Sequence, residues 1–120
     1  MAKILVHLTH GPEHPTRAAL AFLVAKAAIE EGHTVTLFLA GDSVQLMRDG
    51  VLDSLSGLGT GKLRESCDAV VAGGARIFVS GMSANSRGLS TADIEGKPAQ
   101  FAMPSMLVRL AVEHDRMFTY

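Results

Sequence analysis

The chain has 120 residues, 48% of them hydrophobic and 19% charged, with a formal net charge of -1. A domain this small has much surface to cover with polar groups, so the apolar surplus implies burial between copies of the chain. The near-neutral charge, without any basic cluster, excludes the electrostatic footprint of a nucleic-acid binder.

Lys3 to Leu8 is a short apolar run followed by a Gly/Pro loop and predicts a buried first strand. Pro15-Thr16 opens a helical stripe through Ala19, Leu20, Leu23, Val24, Ala27 and Ala28 that ends at Glu31-Gly32. Thr34 to Leu39 is a second buried strand, which completes a βαβ unit of right-handed crossover. Gly41-Asp42-Ser43 ends that strand, with Asp42 or Ser43 placed to cap a short helix through Met47. Gly50 to Gly61 carries glycines among leucines and is expected to be an irregular excursion with a turn near Val51 to Leu55. Leu63 to Ala72 is helical and stops at Gly73-Gly74, where glycine accepts the left-handed conformation of a helix end. Ala75 to Val79 is the third strand. It feeds a small-residue loop, Ser80 to Gly88, followed by a polar stretch, Ser90 to Gly96, with room for one helical turn. Pro104-Ser105 starts a helix with apolar Leu107, Leu110 and Ala111, and Arg116 to Tyr120 is a last strand.

Alternating strands and helices predict a single α/β domain over residues 1–120. It has three layers, a mainly parallel sheet of about four to five strands and helices on both faces. The longest unbroken apolar run, Ala18 to Ala25, is too short to cross a bilayer, so no membrane association is expected. The amino-terminus leads straight into a strand, and the expected location is cytoplasmic.

In such sheets the ligand crevice lies beyond the carboxyl ends of the strands. Three segments meet there: Thr9 to Arg17, Gly41 to Ser43, and Ser80 to Arg87. The candidate ligand-binding residues are His10, His14, Arg17, Asp42, Met82 and Arg87. The amide groups opening the Pro15 helix favour a small anion, and Arg87 has a fork suited to one. Met82 would supply an apolar wall. His10 and His14 lie four apart but across a glycine and a proline, so helical chelating geometry does not follow, and no metal and no cofactor is assigned. Gly57 to Lys62 fails as a phosphate loop because Ser56 and Leu63 stand where that motif needs a glycine and a Ser or Thr. Ser80-Gly81-Met82-Ser83 has the wrong order for a nucleophile elbow. Cys67, the single thiol, excludes an intramolecular disulfide. It lies mid-helix beside Glu65 and Asp68, which disfavours a thiolate, and reads as a core residue with a minor candidacy as a displaced sulfur carrier.

Four stretches carry a resemblance: Thr9-His10-Gly11-Pro12-Glu13, Ala21 to Ala28, Glu31 to Leu39, and Ser80 to Gly88. Through them the chain, from Lys3 to Tyr120, resembles the DsrE/DsrF-like family of small sulfur-relay proteins, which implies a flavodoxin-like, DsrE-like fold. In the family the strand leading into Arg-Gly ends in a cysteine-rich loop, and one of those cysteines carries persulfide sulfur. Ser80 and Ser83 stand at those positions here, so the resemblance implies a degenerate relay protein, at most a sulfurtransferase-like carrier without conventional turnover. It also implies a homo-oligomer, trimer or hexamer, and a sulfur-relay partner protein. The alternative is a non-catalytic homo-oligomeric module that binds a small anion or a protein partner at the rim.

Overall fold

The computed structural model describes residues 1–120. The strands are β1 (Lys3–Leu8), β2 (Thr34–Leu39), β3 (Ser56–Gly57), β4 (Gly61–Lys62), β5 (Arg76–Ser80), β6 (Ala99–Ala102) and β7 (Arg116–Thr119). The helices are α1 (Pro15–Glu30), α2 (Asp49–Asp53), α3 (Leu63–Ala72), α4 (Gly81–Ser86), α5 (Thr91–Ile94) and α6 (Pro104–Glu113), with a 3-10 helix over Gly41–Met47.

Five strands form one sheet in the order β6-β5-β2-β1-β7, and every neighbouring pair is parallel. The chain steps from β1 to β2, β5 and β6 in one direction, then returns across the whole sheet to place β7 beside β1. Right-handed crossovers therefore put α1, α3 and the short α4 and α5 on one face and α6 alone on the other.

The strand period of two divides the core accordingly. Ile4, Val6, Leu8, Val35, Leu37, Leu39, Ile77 and Val79 join the helices α1 and α3 in one large cluster. Leu5, Phe38 and Phe78 point the other way and meet Leu110 of α6. Strands buried on both faces favour consecutive apolar residues, which explains the runs Ile4-Leu5-Val6 in β1 and Leu37-Phe38-Leu39 in β2. In α1 the buried face is Ala18, Ala19, Ala21, Phe22 and Ala25. The small alanines let the helix lie close to the sheet, and the fully buried Phe22 fills the remaining gap, contributing about 2–3 kcal/mol of apolar burial.

Cover on the second face is thin. Only Leu110 of α6 is fully buried, and Val108, Val112 and Met117 are exposed apolar residues there, while Phe118 of the edge strand β7 is exposed on the opposite face beside Ile4 and Val24. No helix is long and apolar enough to cross a membrane.

Three local expectations are corrected. Ser80 to Gly88 is largely the helix α4 instead of an open loop, because the Ser80 hydroxyl accepts the Ser83 N–H at 3.2 Å and caps its first turn. Neither Asp42 nor Ser43 caps the 3-10 helix: its N-cap is Ala40, and the Ser43 hydroxyl instead donates to the Leu8 carbonyl at 2.6 Å. The glycine-rich excursion contains a small antiparallel hairpin, β3 with β4. β6 is an additional strand that the chain pattern did not predict.

Candidate functional site

The three rim segments meet through direct contacts. Gly11 packs on the Asp42 backbone so closely that a Cβ at position 11 would collide with the Asp42 carbonyl. Gly41, with a φ of +58°, turns the chain out of β2. Its N–H then donates to the Ser83 hydroxyl at 2.9 Å. Arg87 closes the arrangement from the end of α4: its Nε donates to Asp42 Oδ1 at 2.9 Å, and its Nη1 donates to the Ser83 carbonyl and to the Ser86 hydroxyl. Nη2 is the guanidinium nitrogen left without a protein acceptor. The Arg87 carbonyl in turn accepts from Arg48 at 2.8 Å.

The β1 side of the rim is organised by Glu13. One of its carboxylate oxygens accepts the Gly11 N–H at 2.6 Å, and the other takes His10 Nδ1 at 3.0 Å. The bond assigns the proton to Nδ1 and leaves Nε2 of His10 as the free ring nitrogen. The His14 ring stands edge-on to that of His10 with centroids 5.5 Å apart. His14 is also the N-cap of α1, with no side-chain cap bond, and the first turn of the helix holds no acidic residue. The amide groups of a sixteen-residue helix thus begin beside two imidazoles and the exposed Arg17, which makes no salt bridge. That combination favours negative charge. No group of three or more His, Cys, Asp or Glu residues is placed to hold a metal ion.

Ser80 and Ser83 are engaged within the fold. Ser80 is 7% exposed and serves as the cap of α4. Ser83 is half-buried and accepts from Gly41, and no histidine is bonded to either hydroxyl. Met82 is 61% exposed, the most open apolar side chain of this segment.

Cys67 is not part of the rim. It is buried in α3 against the larger core. Burial, reinforced by the Asp68 carboxylate, pushes its thiol up to about 11. The remaining histidines have packing roles. His7 stands edge-on to Phe38, and burial holds its pKa below the usual value. His33 accepts the Ala2 N–H, and His114 bonds the Leu110 carbonyl at the end of α6 and the Thr36 hydroxyl.

The rim therefore unites His10, His14, Asp42, Met82 and Arg87 on segments joined by direct contacts, with Arg17 in the first turn of α1. Glu13 and Arg48 also organise it. Glu13 was legible as the residue three beyond His10, whereas nothing in the local sequence marks Arg48.

The five-stranded parallel sheet carries these polar groups at the carboxyl ends of its strands, the place where open α/β sheets bind ligands. The DsrE/DsrF-like family model matches residues 2–120. The chain belongs to that family. It is similar in structure to the ychN protein of E. coli, with a TM-score of 0.79, 19% identity and 100% of both chains covered. A protein of unknown function from Methanobacterium thermoautotrophicum gives a TM-score of 0.76 at 11% identity, again over 100% of both chains. A conserved protein of unknown function from Bacteroides thetaiotaomicron gives 0.71 at 11% identity, over 99% of this chain and 95% of the other. At these identities the likeness defines the fold alone. None of the curated proteins compared with it matches the sequence.

Proposed function

We propose that this chain is a degenerate, sulfur-relay-type member of its family that works as a cytoplasmic, non-catalytic, self-associating module, binding a small anion at the strand-end rim. The observation that carries this reading is the state of its nucleophile positions. The hydroxyls of Ser80 and Ser83 accept backbone N–H groups of the fold, and the one thiol lies buried in α3 with its pKa raised to about 11. A persulfide carrier needs an accessible thiolate, and neither place offers one. The anion-binding half of the reading rests on the uncapped start of α1, on His10, His14 and Arg17, and on the free Nη2 of Arg87.

Self-association is supported by the exposed Val108, Val112, Met117 and Phe118, which leave apolar surface on α6 and on both faces of β7. A trimer or hexamer in sedimentation is expected, and a monomer at micromolar concentration removes this part of the proposal.

The test of the binding role is thermal stabilisation by sulfate, phosphate and thiosulfate, beside intact-mass analysis after exposure to a persulfide donor. Saturable stabilisation that weakens in Arg17→Ala and Arg87→Ala, with no sulfur gained, supports the reading. Sulfur gained at Cys67 overturns it in favour of a relocated carrier.

A further inference from the structure

A second concavity lies away from the rim, between α3, the middle of β5 and the segment that leads into β6. It has a volume of about 120 Å³, and its walls include Leu46, Leu52, Cys67, Val71, Ile77 and Pro98. Four features decide what it can hold. The walls are dominated by hydrocarbon and a buried sulfur. No buried side-chain nitrogen or oxygen in the protein lacks a hydrogen-bond partner, so nothing inside calls for a polar ligand group. The size is near that of an engineered apolar cavity of about 150 Å³ that stays dry and takes benzene.

The fourth feature is the charge at the mouth. Arg64 and Lys97 stand there, but both are already occupied. Arg64 bonds Asp53 at 2.6 Å and Asp49 at 3.1 Å, with Asp68 at 3.6 Å. Lys97 lies 3.3 Å from Asp49 and donates to the carbonyls of Met47 and Asp93. Two cations thus face three carboxylates, and no positive charge is left over for an anion.

We propose that this cavity is a binding site for a small uncharged apolar molecule of about benzene size. Burial of its surface against the core supplies the affinity. The paired charges at the mouth act as a filter that turns away carboxylates of the same shape.

The experiment is a titration of the intact protein with benzene, and separately with benzoate, read by the methyl NMR signals of Leu52, Val71 and Ile77. Benzene is expected to shift these signals saturably while those of Val24, on the opposite edge of the helical face, stay fixed. Benzoate is expected to leave all of them unmoved at equal concentration. Val71→Phe is expected to fill the cavity and weaken benzene binding by at least about tenfold. Cys67→Leu fills it from the same helix and replaces that variant if it does not fold. The wild-type titration decides the matter alone: no saturable shift up to the solubility of benzene, shifts centred on Val24, or an equal response to benzoate each overturn the proposal. Undiminished binding in a folded filled variant does the same.

Discussion

Raising the pH from 8 to 10 should destabilise this protein through Cys67 specifically, and the size of the effect follows from the thiol's surroundings. The folded-state pKa is raised from 9.0 to about 11 by burial and by Asp68. The sign is that of an acid whose neutral form the fold prefers. The stability is fully present below about pH 9, the unfolded value, and is lost as pH rises toward 11 because the unfolded chain releases its proton first. At pH 10 the unfolded thiol is about ten-elevenths ionised and the folded one about one-eleventh, a tenfold difference in partition worth about 1.4 kcal/mol. At pH 8 the same calculation gives less than about 0.1 kcal/mol. Urea unfolding of the wild type and Cys67→Ala at both pH values isolates the contribution, since other groups titrate alike in the two proteins. The wild type should lose about 1.4 kcal/mol more than the variant between pH 8 and 10. An identical loss in both would refute the claim that this thiol is held neutral, and would reopen Cys67 as a sulfur carrier. The same displacement lowers the thiolate fraction at neutral pH about a hundredfold, so alkylation by iodoacetamide should be at least that much slower than in the unfolded chain.

Ser80→Ala removes the cap of α4 and should cost about 1 kcal/mol in denaturant unfolding, whereas Ser86→Ala, at the exposed end of the same helix, should cost less. Burial lowers the His7 pKa below 6.5, so its contribution is present above the unfolded pKa and lost as pH falls through 6.5 toward the folded value. His7→Gln should therefore show a shallower fall of Tm between pH 7 and 5 than the wild type, and parallel curves would remove His7 as the cause. Ser83→Cys places sulfur where the Gly41 N–H already points, and the variant is expected to gain sulfur mass from a persulfide donor. Ser80→Cys, buried at the helix cap, is expected to gain none. Equal loading of both would show that the Gly41 contact does not select the reactive position.

The parts of the fold legible in the sequence were those whose local pattern and tertiary burial agree. β1 and β2 are mostly apolar because both faces are covered, with Ile4-Leu5-Val6 and Leu37-Phe38-Leu39 as their buried runs, and their limits, Lys3–Leu8 and Thr34–Leu39, match the expected strands. α3 ends where Gly73-Gly74 predicted, and Gly74 has the left-handed φ of +89° that favours glycine beyond a helix end. β6 was not legible because it is an edge strand of four residues, with Gln100 exposed and no apolar run of its own. α4 was hidden by composition. Gly81-Met82-Ser83-Ala84-Asn85-Ser86 has small residues and no apolar stripe, and the feature that makes it a helix, the Ser80 cap, reads equally well as a turn.

The site was legible in its parts and not in its connections. Residues at the carboxyl ends of three parallel strands must share a rim whatever their identity, so His10, Asp42 and Arg87 could be grouped from topology alone. Their chemical states depend on pairings across the fold. Asp42 and Arg87 are 45 residues apart, and their segments are held together by the packing of Gly11 on the Asp42 backbone and by the Gly41 N–H bond to the Ser83 hydroxyl. That pair changes the meaning of the arginine. A free Arg87 would present its whole fork to a ligand, whereas here Nε and Nη1 already hold the loop together and only Nη2 remains. Any anion drawn to this rim must then depend at least as much on the start of α1 and on Arg17 as on Arg87. Loss of Arg87 should disturb the shape of the site, while loss of Arg17 should reduce its charge with the shape intact. In Arg17→Ala the α4 amide signals should therefore stay in place as the ligand weakens, and in Arg87→Ala they should move even before ligand is added.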